Sequence, residues 1–526
     1  MQFVDLYPVK GTFKPGDEIE FRIEIESEKR SRVSIQLSIF HLLDCILTET
    51  HTIPLKVGFQ QLAIKCQVPS TAPCGYGIEA NLIGENGEIA SAISSAFDVM
   101  EDWVDFPRYG FLCDFHPGRS DAGETADALV RYHINGLQFY DWQYRHDHLI
   151  SPAKEFVDPL GRELSLDTIK DLISNAHIMG MAAMPYLAVY AASIEFWEKH
   201  ADWGLYDDKG KPLKFEDFLG LMDPSPGSPW IHHLQSESDT VLSSLLFDGL
   251  HIDQYGEPKN GFKRNGESVD IPAAFHDFIN VQNASHPQAA LVFNAVGNWP
   301  IEALATAPVD FVYIEIWPSD PHYADLLSIV TNARKLANGK PVVVALYLPA
   351  DQHVNIRRAD AILFAAGASR IELGEIDRLL TDPYFPNHQP VVQELREILR
   401  RYYDFVVRYG DLIGPFNTDV TRLHVEVPTD VWVIGRSCSG WLVINVINMS
   451  GYDKPRWDKS LSQPDQLENL TMKIVDLDSV QQVWWASPDR GDLRLFPLDY
   501  CVEGNTINLE LPFLDYWSMV AVKLGE

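Results

Sequence analysis

The sequence predicts a multidomain chain: a (β/α)8 TIM barrel catalytic domain over residues 105–412, an immunoglobulin-like β-sandwich before it at 1–104, and an antiparallel β-sandwich after it at 413–526. Three observations predict this. Apolar residues recur with period two at both ends of the chain. In the centre, eight short apolar runs alternate with stretches long enough to hold a helix. The composition, 46% hydrophobic and 11% aromatic, is too rich for a disordered acidic chain, although 42 Lys and Arg against 74 Asp and Glu leave a net charge of -32. That charge repels phosphate backbones and anionic lipid, which excludes nucleic acid and membrane surfaces as partners.

In chain order, Ile19-Glu20-Phe21-Arg22-Ile23-Glu24-Ile25 and Val33-Ser34-Ile35-Gln36-Leu37-Ser38-Ile39 read as half-buried strands, with Pro15-Gly16-Asp17 as the turn before the first. The eight central runs are Tyr109 to Phe115, Gly136 to Trp142, Ala182 to Tyr190, Gly249 to Gly256, Ala289 to Gly297, Phe311 to Trp317, Pro341 to Leu348 and Ser369 to Glu375. Eight repeats over about 300 residues suit a closed barrel better than an open doubly wound sheet, and no run is followed by a GxGxxG or Walker-type loop. Period two returns in Thr421 to Val427, Trp441 to Val446, Val480 to Trp485 and Thr506 to Leu511, with Asp453 to Gln466 as a long loop. Cys45, Cys66, Cys74, Cys113, Cys438 and Cys501 form no CxxC pair, so they read as buried thiols, not as a zinc site or a disulfide framework. Met1 to Asp5 lacks the basic and apolar runs of an export signal, and no segment reaches the ~18 apolar residues of a membrane span; the chain as given reads as cytoplasmic, or as secreted if a leader has been removed.

Barrel enzymes carry their chemistry at the C-terminal ends of the strands, so charge inside an apolar run is the signal to seek. Glu315 in Phe311-Val312-Tyr313-Ile314-Glu315-Ile316-Trp317 and Asp253 in Leu250-His251-Ile252-Asp253-Gln254-Tyr255-Gly256 stand out. A single such carboxylate often caps a strand end or pairs with an arginine. Two of them, on runs separated by one other, can face each other across the mouth at the ~5–9 Å that glycoside hydrolysis requires. Asp114, Asp141, Glu372 and Glu375 are rival acidic positions, expected as polar residues lining the mouth. Asp141, Trp142 and His146 together are able to grip a hexose, by hydrogen bonds to its hydroxyls and a flat face under its ring, or simply to pack. Tyr190, Asn294 and Trp317, near the ends of runs three, five and six, and His251 complete the residues expected to contact substrate. His251 and Asp253 share a strand face and would make half a metal site, but there is no HExxH and no second ligand cluster, and no GxSxG elbow signals a serine triad. Neither metal nor cofactor is expected.

Phe106-Pro107-Arg108-Tyr109-Gly110 and Ile134-Asn135-Gly136-Leu137-Gln138-Phe139-Tyr140-Asp141-Trp142-Gln143-Tyr144-Arg145-His146 strongly resemble glycoside hydrolase family 66, the family of dextranases and cycloisomaltooligosaccharide glucanotransferases. The resemblance covers nearly the whole chain and implies the same three-part architecture. It also implies that Asp253, in Asp248-Gly249-Leu250-His251-Ile252-Asp253-Gln254-Tyr255-Gly256, is the nucleophile, and that Glu315, in Tyr313-Ile314-Glu315-Ile316-Trp317-Pro318, is the acid/base. Leu250, His251 and Ile252 stand where the family motif resembles Trp-Gln-Gly, which implies a reshaped sugar pocket around the same carboxylate. Cyclising members carry a binding module inserted in the barrel region, and no interval between the eight runs is long enough for one. The activity implied is retaining hydrolysis of α-1,6-glucosidic linkages in dextran or isomaltooligosaccharides; short oligosaccharides are expected to be preferred because the chain as given shows no export signal, its cysteines are unpaired in spacing and it carries no inserted binding module to hold a polymer. The alternatives are a glucanotransferase on the same glucans and a catalytically silent sugar-binding protein.

Overall fold

The computed structural model describes residues 1–526 apart from 69–71, 85–86, 421–422, 478 and 526. The protein is multidomain and mostly β, organised around a curled eleven-stranded sheet. At the N-terminal end, period two sorts the residues as expected: in Ile19–Ser27, Ile19, Phe21, Ile23 and Ile25 are buried while Glu20 and Arg22 are half-exposed. That strand lies between Gln2–Pro8 and Gly58–Cys66, and a second antiparallel sheet runs in the order Asp44–Leu55, Ser31–His41, Cys74–Ile83, Ile89–Val99. Phe21, Ile23, Ile35, Leu37, Ile78 and Phe97 from the two sheets share one core.

The eight central runs form β1 (Tyr109–Leu112), β2 (Gly136–Phe139), β3 (Ala182–Ala188), β4 (Gly249–Asp253), β5 (Ala290–Val296), β6 (Val312–Glu315), β7 (Val342–Ala345) and β8 (Ala368–Ile371), each parallel to the next. Past Glu372 the short β9 (Leu373–Gly374) pairs in parallel with β1 through Gly374 and Phe111, so the sheet returns on itself. This approach requires glycine, since a Cβ on Gly374 would lie 2.3 Å from the Phe111 carbonyl oxygen. A helix follows each turn of chain: α1 (Ala122–Val130), α2 (Leu166–Ile178), α3 (Pro229–Ser244), α4 (Ile271–Ser285), α5 (Ile301–Thr306), α6 (Tyr323–Leu336), α7 (His353–Ala365) and α8 (Gln393–Arg408). In α8, Leu395, Ile398, Leu399, Tyr402 and Tyr403 recur at helical spacing and are buried. The strands are shorter than the apolar runs because the chain leaves its neighbours at the mouth: Asp141, two residues past β2, already takes a left-handed φ of 49°.

After α8 come an antiparallel six-stranded sheet, with Val431–Cys438, Trp441–Asn448 and Trp517–Leu524 at its centre, and a four-stranded one containing Leu467–Val475 and Thr506–Leu514. The strand expected over Thr421 to Val427 is seen as His424–Glu426, and Thr421 and Arg422 lie outside the described residues. The stretch from Asp453 to Gln466 forms no strand and is tied to the central region. Asn355 of α7 donates to the Trp457 and Lys459 carbonyls at 2.8 and 2.6 Å, and Trp457 Nε1 donates to the Asp320 carbonyl at 2.7 Å. Cys66, Cys74 and Cys113 are buried as expected, but Cys45 and Cys501 are exposed and Cys438 is half-buried. The expectation fails for Cys45 and Cys501 because they occupy strand positions that do not point into a core, while Cys438 packs at the margin of the large central core. Among the described residues no helix is long and apolar enough to cross a membrane.

Candidate active site

Alternation along the strands stacks side chains in layers inside the curled sheet. Tyr109, Met184, Val292, Tyr313 and Ala345 belong to one buried apolar cluster. Two residues further along β3, β4, β5, β6 and β7, the same face presents Tyr186, Asp253, Asn294, Glu315 and Tyr347, and all five line a cavity of ≈ 760 Å³ at the strands' C-terminal ends. His251, two residues before Asp253, lies beneath it: fully buried, 3.1 Å from the Tyr109 hydroxyl through Nδ1, and edge-on to Tyr313 with ring centroids 4.7 Å apart. Burial holds its imidazole down at about 3, so it is a neutral packing residue under the cavity floor.

Asn294 joins the two candidate catalytic groups. Its Nδ2 donates to Asp253 Oδ1 and to Glu315 Oε2, each at 2.8 Å. Glu315 Oε1 also accepts from the Tyr347 hydroxyl at 3.0 Å. Burial pushes both carboxyls up, and Glu315 adds its repulsion at Asp253, which rises to about 7. Two carboxylates with only neutral donors around them resist being charged together, so the pair retains a proton well above the usual carboxylate range.

Asp141 is a third carboxyl on the cavity wall, raised by burial to about 7 against the opposing charge of Arg162. Arg162 holds this turn in place, donating to the Asp141 carbonyl at 2.7 Å and pairing with Asp158 at 2.7 Å. His146 lines the cavity and is kept neutral, its pKa lowered by burial to about 4. Trp317, 38% exposed, stands at the rim beside Tyr347. No lysine or arginine is among the lining residues, so the cavity suits an uncharged ligand rich in hydroxyls rather than a phosphate.

The structure brings Asp141, His146, Asn294 and Trp317 to Asp253 and Glu315. It does not bring Asp114, Trp142, Tyr190, His251 or Glu372 to the cavity lining. Asp114 pairs with His116 at 2.8 Å in an exposed turn. The left-handed turn at Asp141 sends Trp142 away from the cavity, where it is fully buried against Phe247 and donates to the Tyr186 carbonyl at 3.1 Å. Tyr190 works behind the lining, donating to the Glu257 carbonyl and accepting from the Tyr255 backbone N–H. Glu372 lies outside the curled sheet, 3.0 Å from Arg370 and 3.1 Å from the Tyr403 hydroxyl of α8. Glu375, also expected at the mouth, accepts from the Cys113 and Asp114 backbone and pairs with Arg119 at 2.7 Å.

Sequence reasoning missed the aromatic walls. Tyr255 stacks on Phe215 with centroids 4.1 Å apart, and Tyr140 stacks on Phe385 at 4.1 Å. Tyr140 adjoins Asp141 and Tyr255 lies two residues past Asp253, and strand parity was the signal for Tyr347; Phe215 and Phe385 sit on excursions with no signal.

A buried carboxyl pair among neutral donors, in a cavity at one end of a curled parallel sheet, is the equipment of a glycoside hydrolase-type enzyme. Residues 8–521 match the model of Glycosyl hydrolase family 66, and the chain belongs to that family. It is 24% identical to a cycloisomaltooligosaccharide glucanotransferase of Niallia circulans, over 98% of this chain and 71% of that one. It is 20% identical to a dextranase of Streptococcus salivarius, over 93% of this chain and 73% of that one. Its fold matches that of a Paenibacillus sp. cycloisomaltooligosaccharide glucanotransferase, solved in complex with cycloisomaltoheptaose, with a TM-score of 0.91 at 22% identity over 99% of both chains.

Proposed function

We propose that this protein is a retaining glycoside hydrolase cleaving α-1,6-glucosidic linkages in dextran or isomaltooligosaccharides, and that it divides into a β-sandwich at 1–104, a (β/α)8 barrel at 105–412 and a second β-sandwich at 413–526. The observation that carries the mechanism is the double hydrogen bond of Asn294. Two carboxylate oxygens each 2.8 Å from one nitrogen are at most twice that distance apart. This fits the ~5–5.5 Å of a retaining pair and leaves no room for the water that an inverting pair holds across ~6.5–9.5 Å. Asp253 attacks the anomeric carbon while Glu315 gives its proton to the departing glycosidic oxygen. Glu315, now ionised, then takes a proton from water, whose oxygen displaces Asp253 and releases the sugar with its anomeric configuration kept. Tyr140, Tyr255, Phe215 and Trp317 offer ring faces to glucose units, and Asp141 and His146 accept or donate to their hydroxyls.

The names of the relatives favour a second reading, in which another sugar hydroxyl replaces water in the second step. Products resolved by chain length at high isomaltooligosaccharide concentration separate the two: shorter chains only under hydrolysis, longer or cyclic products under transfer. NMR of the first product tests the mechanism, with the α-anomer expected; an initial β-anomer overturns double displacement. The preference for short chains is tested by kcat/KM on isomaltotriose to isomaltohexaose against high-molecular-weight dextran, and a clear preference for the polymer defeats it.

A further inference from the structure

Away from the cavity, three metal-ligand side chains meet where the N-terminal sheets abut the segment after α8. His41 ends strand Ser31–His41, Cys74 opens strand Cys74–Ile83, and Asp411 belongs to the short helix Gly410–Ile413. A ring nitrogen, the thiol sulfur and a carboxylate oxygen all lie within 4.8 Å of one another, and no other such trio occurs among the described residues. The backbone holds them in place. Gly75 N–H donates to Asp411 Oδ2 at 2.7 Å. A Cβ on Gly75 would lie 2.2 Å from the Val407 carbonyl oxygen, so the glycine lets the residue beside Cys74 press directly on the end of α8.

The spacing is wrong for a good hydrogen bond and right for a shared ion. His41 Nε2 is 3.6 Å from Asp411 Oδ1 and is buried without a hydrogen-bond partner. Ligand atoms bound tetrahedrally at ~2.0–2.3 Å stand roughly 3.3–3.8 Å from one another. Nitrogen, thiolate and carboxylate together match zinc better than the all-oxygen preference of calcium or magnesium. We propose that His41, Cys74 and Asp411 bind one zinc ion, with water as fourth ligand, and that the ion ties the N-terminal sheets to the segment following α8. On binding, the Cys74 thiol and the His41 imidazolium each release a proton to solvent, and the three side chains each give a lone pair to the metal. None of the three lines the catalytic cavity, so the ion's role is structural.

The test uses the full chain, chelator-treated and dialysed, with the exposed Cys45 and Cys501 changed to serine. One equivalent of cobalt(II) is expected to give tetrahedral visible bands and a thiolate-to-cobalt band in the near ultraviolet, displaced by one equivalent of zinc. Zinc is expected to raise Tm by at least about 3 °C without changing turnover. Cys74→Ser and His41→Gln should each lose the band and the Tm rise, while Cys438→Ser keeps both. His41 is half-exposed, so His41→Gln decides the matter if Cys74→Ser does not fold. Substoichiometric uptake, a band that survives in His41→Gln or Cys74→Ser, or a band lost in Cys438→Ser overturns the proposal; uptake failing with the fold intact leaves an ion pair of His41 with Asp411 as the whole of the cluster.

Discussion

Two buried acidic pairs in this protein have opposite characters. Asp360 and Glu372 flank Arg370 at 2.9 and 3.0 Å, all three fully buried outside the curled sheet, with Tyr403 closing the group. Asp253 and Glu315 flank Asn294 at 2.8 and 2.8 Å inside the sheet, and open onto the cavity. In the first pair the central residue is a cation and neutralises charge; in the second it is a neutral amide that orients both carboxylates and leaves their repulsion in place. Burial of acid alone therefore does not mark a site. What marks it is burial without a counter-charge beside space for a substrate.

Substitutions sharpen this contrast. Asp253→Asn and Glu315→Gln are each expected to lower turnover on an α-1,6 glucan by at least ~10³-fold with the fold intact by circular dichroism, because covalent and acid catalysis each contribute on that order. Near wild-type kcat in either variant removes that residue from the mechanism. Arg370→Met is expected to do the reverse. Leaving two carboxyls buried without their cation costs about 3–5 kcal/mol, read in denaturant unfolding, while turnover per folded molecule stays within about twofold. A stable variant with crippled turnover would erase the distinction drawn above.

Asn294→Ala removes a donor to both carboxylates, so their pKa values rise further. The expected result is ~10²-fold lower kcat and an acid limb of the kcat profile displaced to higher pH, since Asp253 then ionises later; an unmoved limb assigns Asn294 to packing alone. The folded pKa of Asp253, about 7, lies above its ordinary 3.8, so the stability linked to its protonation is complete below about pH 3.8 and is lost as pH rises through about 7. Asp253→Asn therefore has a higher Tm than wild type at pH 8, and the gap closes by pH 4; the opposite trend in calorimetry rejects the raised value. The smallest effect is expected from Tyr347→Phe, which takes one hydrogen bond from Glu315: the alkaline limb moves up by less than about one pH unit and kcat falls by about tenfold or less.

Much of this was legible in the chain. Asp253 and Glu315 could be found because a carboxylate inside an apolar run lacks any local partner to account for it, and strand parity correctly put His251 on the same face as Asp253. Parity does not say how deep in the stack a residue lies, which is why His251 was expected to contact substrate and is found buried beneath the cavity floor. Nor does it say which side of the sheet a strand end turns to, which is why Glu372 was expected at the mouth and is found against α8.

The sequence by itself determined the kinds of element, their order and the two carboxyls that line the cavity, because each of these is written in spacings of two to four residues that a single strand or helix reads directly. The tertiary structure alone decided which neighbours those carboxyls have. Asn294 between them, Tyr347 on Glu315, the turn that sends Trp142 away while Asp141 stays, and the meeting of His41, Cys74 and Asp411 all join residues far apart in the chain. Such contacts are set by how the sheet curls and where its helices and flanking sheets press against it, and no local periodicity encodes that.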